Sequence, residues 1–460
     1  MKLRYLNGVP EGLLDRVSKA KDKLLKERGT VRIISHYDAD GICAAGILCM
    51  AFLRENIKFH VTLTRSLKDE FVGALGKQRY PITIFCDMGS GQLEAIRELS
   101  GDIIILDHHS ALLDSEDPLQ INPNLFGIDG GTEMCASSLS FLFAEVISED
   151  NRDLSALALA GCIGDKQHIN GFTGFNANML KMAKKRGVVK EKNMLKLSGD
   201  NLEKALIEGL DPFISGLSGR EDKVLEFLKR INLDPDLKIE DLDEDQKRLL
   251  ASAVIVKLLS QKIRIERAEG FITKKFWLPQ WNLFASDLSN YVNSAGRMDN
   301  MGTGLALCLG DESALEKAIE LRKAYKDELR SGLLRLEAEG PHVMKNIQFF
   351  YCENPSLAGA NAGLGMMYLF DQEKPVLALS VLDKETKISS RGTKYLISKG
   401  LDLAIACREA AQKVGGRGGG HPVASGATIP KGKEESFLEL MDDIVGNQFS
   451  GEGEEIGNSA

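Results

Sequence analysis

The feature that most restricts how this 460-residue chain can fold is a recurring pattern: a short apolar run that stops at acidic or imidazole side chains. Val31–Ile34 leads into Ser35-His36-Tyr37-Asp38-Ala39-Asp40-Gly41, Ile82–Cys86 into Asp87-Met88-Gly89, and Ile103–Leu106 into Asp107-His108-His109. Runs of four or five such residues bounded by turn formers read as strands. Helical patterns between them, at residues 42–54 and 92–99, supply the crossovers of a parallel sheet covered on both faces. A fourth motif, ending in Asp165, follows the helical stretch Ala156–Cys162. Open α/β sheets place ligands at the carboxyl ends of their strands, so the spacing predicts that these side chains meet at one sheet edge.

His36, Asp38 and Asp40 alternate, which puts them on one side of an extended chain, and Gly41 permits a tight turn into the following helix. Brought together, His36, Asp38, Asp40, Asp87, His108 and Asp165 are mainly carboxylate donors with a minority of imidazole. That set suits Mn²⁺ or Mg²⁺ better than zinc, and the histidines tilt it toward Mn²⁺. Asp87 is the natural bridge between two ions, and such a pair orients a phosphoryl group and stabilises its leaving oxygen without a dedicated protein base. His109, whose neighbour is a ligand, is free to donate to a phosphate oxygen. Any one of these motifs alone would read as a cap or turn. Their recurrence carries the argument.

Charge sharpens the functional class. The net charge of −8, from 58 basic and 66 acidic residues, argues against a chain that coats nucleic acid nonspecifically, though not against a nucleic-acid enzyme. No run approaches the roughly 18 apolar residues of a spanning helix, and the N-terminus lacks the features of a signal peptide, so a cytoplasmic protein without a membrane role is expected. The eight cysteines include no CxxC pair and read as buried reduced thiols.

Helical periodicity dominates residues 172–290, an insertion carrying a basic run at 181–196 and an acidic one at 234–245. The acidic run reads as solvated surface, while the basic one could flank a polynucleotide path. A charged helical pattern then ends at Gly340-Pro341 and reads as a connector between domains. In the last section the helix 401–413 is followed by Val414-Gly415-Gly416-Arg417-Gly418-Gly419-Gly420-His421. A glycine run placed after a helix is not a Walker or Rossmann loop. It is either a flexible turn or a close backbone approach to phosphate, with Arg417 and His421 as donors. Arg391, set between small residues, suits the same task. The expected organisation is a catalytic domain at 1–311 including the helical insertion, a linker helix at 312–340, a smaller α/β domain at 341–447 and a disordered tail at 448–460.

In this order and spacing SHYDADG, FCDMG, LDHH and GCIGD resemble the four motifs of the DHH phosphoesterase superfamily, and GGRGGGH resembles the glycine-rich signature of its companion DHHA1 domain. Asn293-Ser294-Ala295-Gly296-Arg297 and Ser389-Ser390-Arg391-Gly392 resemble motifs of the RecJ branch, nearest to archaeal RecJ-like exonucleases, a group that includes partners of the GINS replication complex. The resemblance implies a Mn²⁺-dependent exonuclease of replication or repair that releases mononucleotides from the 5′ end of single-stranded DNA, with RNA a second candidate substrate. It assigns His36, Asp38 and Asp87 to one ion and Asp40, Asp87, His108 and Asp165 to the other. It places His109, Asn293, Arg297, Arg391 and His421 on the phosphates, beside the glycines 418–420 and Arg417. Two departures stand out: His36 replaces the Asp of bacterial RecJ, and no OB-fold domain follows the second domain, which bears on the choice between DNA and RNA. Two other readings are a phosphodiesterase of short oligonucleotides or cyclic dinucleotides, and a scaffold docking GINS and the replicative helicase through charged helices at 175–250.

Overall fold

A computed structural model describes residues 8–111, 113–169 and 171–451. The described residues form two compact units, one of residues up to Asn193 with Lys274–Tyr325, the other of Met194–Thr273 with the residues from Lys326 on.

The first unit is built on a parallel sheet of order β2-β1-β3-β4-β5, comprising β1 (Val31–His36), β2 (Phe59–Thr64), β3 (Ile82–Cys86), β4 (Asp102–Leu106) and β5 (Leu119–Ile121). The apolar runs form strands because both faces are covered. Ile84, Cys86, Ile104 and Leu106 join a large core on one face, while Ile34, Phe85 and Ile105 join a smaller one on the other. The helix Ala39–Arg54 starts three residues earlier than its apolar pattern, because Asp38 caps it by accepting from the Gly41 amide at 3.2 Å. It is buried nearly all round, as befits a helix enclosed by other elements.

The strands stop in one row: Ser35 lies opposite Cys86, Cys86 opposite Leu106, and Leu106 opposite Ile121. Adjacent strands lie about 4.8 Å apart, so the residues that follow this row emerge side by side along one edge.

Within the stretch 172–290 the structure contains strands that helical periodicity did not indicate. β6 (Lys190–Leu195), β7 (Ile272–Leu278) and β8 (Leu283–Phe284) form a three-stranded sheet. β6 (KEKNML) and β7 (ITKKFWL) lack strand-like alternation and β8 is two residues long, so none stands out among the flanking helices. Residues 194–273 also fall in the second unit rather than with the residues before them. Their core, from Leu195 to Phe271, includes Leu333 and Tyr368. The expected connector is the helix Ser313–Glu339, ended by Gly340 at φ +71°.

The second unit carries a six-stranded sheet, order β13-β14-β12-β11-β10-β9, of β9 (His342–Val343), β10 (Gln348–Tyr351), β11 (Val376–Val381), β12 (Glu385–Arg391), β13 (Arg417–His421) and β14 (Ala424–Pro430). The glycine run is therefore neither a flexible turn nor a loop but the edge strand β13. It has almost no side chains with which to signal a strand, yet β14 pairs with it from Arg417 to His421. A Cβ on Gly418 would stand 2.3 Å from the Cys407 carbonyl oxygen, so the helix Leu403–Lys413 lies against the bare backbone. The closing helix Glu434–Ser450 extends past residue 447 because Phe449 still packs on the core, and residues 452–460 of the expected disordered tail lie outside those described.

Candidate metal centre

The sheet edge gathers the predicted donors. Asp87 follows β3 in the left-handed region at φ +60°, a conformation costing about 1–3 kcal/mol that is concentrated at functional sites. Its amide donates to the Leu106 carbonyl, and its carboxylate is buried. Asp87 Oδ2 lies 3.3 Å from His36 Nδ1, which is 3.0 Å from Asp38 Oδ2. Asp87 Oδ1 lies 3.2 Å from His108 Nε2, itself 3.7 Å from Asp40 Oδ2. Asp165, capping the helix Ser155–Gly164, brings its carboxylate 3.9 Å from His108 Nδ1.

Three groups of donors have all their ligand atoms within 4.8 Å of one another: His36 with Asp38 and Asp87, Asp40 with His108 and Asp165, and Asp87 with His108 and His109. Two of these atoms, His36 Nδ1 and Asp87 Oδ1, are buried with no hydrogen bond of acceptable geometry. Buried polar atoms are rarely left so, and a divalent cation would satisfy both. The donor set fits such an ion.

Asp40, His108 and His109 are held from behind. Asp40 accepts from the Ala136 and Ser137 amides at 2.8 and 3.0 Å, at the N-terminus of the helix Ala136–Ile147, whose dipole favours a carboxylate. His108 Nδ1 donates to the Gly130 carbonyl at 2.7 Å, which turns Nε2 toward the carboxylates. Asp107, absent from the predicted site, lies fully inside it. Its Oδ2 accepts from the Ser90 amide at 2.9 Å, and its Oδ1 accepts from the His108 amide and from His109 Nδ1 at 2.8 and 2.7 Å. It thereby fixes the ring of His109, whose side chain is 42 % exposed.

The charges are interlocked. Burial, with Asp40 and Asp87, raises Asp165 to about 7 against the pull of His108. Burial opposes a charge on His108, but Asp165, Asp87 and Asp40 outweigh it and hold the imidazole well above its usual pKa. His36 is raised in the same way, against burial, by Asp38 and Asp87. Asp38 and Asp107 move down despite burial, the first through His36, the second through His109.

The Asn293–Arg297 motif also acquires a structural reason. A Cβ on Gly296 would sit 1.8 Å from the Tyr37 carbonyl oxygen, so only glycine lets the helix Ala285–Arg297 approach the loop between His36 and Asp38. Arg297 Nη1 then donates to the Tyr37 hydroxyl at 2.5 Å, and Asn293, four residues earlier, shares its helix face.

The remaining predicted residues belong to the second unit. Arg391 and His421 both pair with Ala424, from β12 and β13, so with Arg417 and Gly419 they share one face of the sheet. Gly418 and Gly420 occupy the opposite face. Gly418 meets the helix Leu403–Lys413, and a Cβ on Gly420 would crowd Ser425.

The fold and the donor cluster define a DHH-type protein, a class in which phosphoesterases are typical. The chain matches the DHH family, N-terminal domain, over residues 30–163, the DHHA1 domain over 357–447, and archaeal Cdc45 over 140–294. It belongs to the DHH/DHHA1 family. The uncharacterized protein MJ0831 of Methanocaldococcus jannaschii is 33% identical over 447 residues, covering 95% of this chain and 98% of its own. Two solved structures share the fold. CDC45 from Entamoeba histolytica aligns with a TM-score of 0.64 at 11% identity, over 94% of this chain and 98% of its own. RecJ from Thermus thermophilus, in complex with Mn²⁺, aligns with a TM-score of 0.60 at 14% identity, over 95% of this chain and 55% of its own, so this chain spans about half of that RecJ. No helix among the described residues is long and apolar enough to cross a membrane.

Proposed function

We propose that this protein is a metal-dependent phosphodiesterase that removes nucleotides from an end of single-stranded nucleic acid. The observation that carries the reading is the convergence of six donors on two neighbouring points, with His36 Nδ1 and Asp87 Oδ1 buried and unsatisfied. His36, Asp38 and Asp87 would hold one ion, and Asp40, Asp87, His108 and Asp165 the other, with Mn²⁺ favoured and Mg²⁺ the alternative. When bound, such ions supply Lewis-acid activation of water and neutralise charge on the phosphoryl group.

The protein's own groups do the rest. Asp107 fixes the His109 ring through Nδ1, and His109 would donate from Nε2 to a phosphate oxygen as its charge grows. Arg297, anchored on Tyr37 beside Asp38, and Asn293 orient the phosphate from the helix Ala285–Arg297. Arg391, Arg417 and His421 offer cationic and donor groups from one sheet face to the strand's backbone.

The test is digestion of DNA and RNA 30-mers, labelled at either end, beside a dinucleotide, with Mn²⁺ and with chelator. Metal-dependent release of mononucleotides from one end of the 30-mers supports the reading. Hydrolysis confined to the dinucleotide replaces it with the short-oligonucleotide activity, and no hydrolysis at all removes it. A second role is favoured by the match to archaeal Cdc45 at 140–294: docking in a replicative assembly containing GINS, beside rather than instead of catalysis. Recovery of GINS on the intact protein but not on one with charge-reversed 181–196 is the outcome that role requires.

A further inference from the structure

Behind Asp40, His108 and Asp165 lies a second, wholly buried layer of polar side chains that no step of the proposed reaction uses. Gln167 Nε2 donates to Asp165 Oδ2 at 2.8 Å and to the Gly130 carbonyl at 2.7 Å, the same carbonyl that receives His108 Nδ1. Gln167 Oε1 accepts from Asn176 Nδ2 at 2.6 Å, and Asn176 Oδ1 accepts from the Cys162 thiol at 3.4 Å. Cys162 Sγ lies 3.4 Å from Cys135 Sγ, and the Cys135 thiol donates to Asp40 Oδ1 at 2.9 Å. The chain of contacts thus begins on one donor of the cluster and ends on the other two.

Cys135, Cys162 and Asn176 are completely buried and Gln167 is 4 % exposed. Burying two amides costs free energy unless every polar end is matched, and here each end is. The matching also has a direction. The Gln167 nitrogen faces two acceptors and its oxygen faces a donor, so reversing the amide would set its oxygen against both the Asp165 carboxylate and the Gly130 carbonyl. Asn176 fixes which end points inward.

We infer that Gln167, oriented by Asn176, is a positioning residue for the cation site formed by Asp40, His108 and Asp165. It sets the Asp165 carboxylate directly and the His108 ring through the shared Gly130 carbonyl. Partners of this kind hold a ligand's orientation, and their loss costs about 10- to 100-fold in metal affinity. The inference rests on the reading of this cluster as a metal site.

The experiment is calorimetric titration of Mn²⁺ into the full chain and into Gln167→Met, which keeps the volume and removes the donor. A second variant, Asn176→Asp, keeps the shape and sets an acceptor against Gln167 Oε1. The parent is expected to bind two ions. Both variants should lose about 10- to 100-fold at one site, with the His36–Asp38–Asp87 site within about twofold of the parent, and Asn176→Asp should melt near the parent temperature in chelator. Parent-like affinity at both sites overturns the inference alone, and so does equal weakening of both sites with a lowered melting temperature, the mark of a merely structural role. A parent that takes up no Mn²⁺ overturns the metal-site reading with it.

Discussion

The two groups of candidate residues are built in opposite ways. At the parallel-sheet edge, donors come from successive strand ends stopped in one row, and Asp38, Asp40, His108 and Asp165 are each fixed by a backbone amide, a carbonyl or a buried side chain. In the second unit, Arg391, Arg417 and His421 are spread over two strands of an antiparallel sheet, with Ala424 and Thr428 of β14 between them, on a face lined with serine and glycine. The first arrangement is rigid, crowded and negative, as holding small cations requires. The second is open and positive, as tracking a phosphate backbone requires. Under the proposed function, burial selects the ion, whereas repeated, partly exposed donors meet the polymer.

The contrast can be broken most simply at Asp87, the carboxylate shared by two donor groups. Asp87→Ala is expected to abolish hydrolysis, at least about a thousandfold, since several kcal/mol of charge stabilisation go with the ions. Parent-like turnover would remove the metal centre from the mechanism. Next in size is Asp107→Asn, which can still accept at one oxygen but no longer holds a charged partner against His109. We expect kcat to fall about 10- to 100-fold while Mn²⁺ affinity stays near the parent's. A fall in metal affinity of the same size would show that Asp107 acts on His108 instead. In the second unit, Arg391→Ala is expected to raise KM for a 30-mer about tenfold, leave a dinucleotide almost untouched and flatten the salt dependence by about one phosphate contact. Equal effects on both substrates would place Arg391 at the scissile bond.

Much of the first unit is legible because its strands are buried on both faces, so apolar runs and the acidic and imidazole residues that end them coincide. His36, Asp38, Asp40, Asp87, His108 and Asp165 could be grouped from order alone. Asp107 stands inside its own motif, yet nothing in the sequence says which neighbour it serves; only its four hydrogen bonds reveal a holder of His109. Gln167 carries no sequence signal: beside Asp165, two positions away, its partners are a carbonyl and an amide 37 and 9 positions away. The glycine strand was misread for a simpler reason: strand propensity is carried by side chains, and Gly418–Gly420 have none. Its pairing is imposed by β14 and by the helix behind it.

The smallest expected effect is a dependence on pH, and it separates the two regions without any mutation. In metal-free protein His36 and His108 are held well above the ordinary value of 6.5. The stability they contribute is fully present below 6.5 and is lost as pH rises through their folded values. Asp165 acts in the same sense, because its carboxyl ionises near 3.8 when unfolded and near 7 when folded, so the folded state is progressively penalised across that interval. With chelator, the transition that reports the first unit should therefore fall by a few degrees from about pH 6 to about pH 9. Cations must displace the same protons, so the rise in melting temperature given by a fixed Mn²⁺ concentration should grow over that range. A metal-induced shift that is flat in pH, or that shrinks as pH rises, would mean that these imidazoles and Asp165 are not the groups the ions contact.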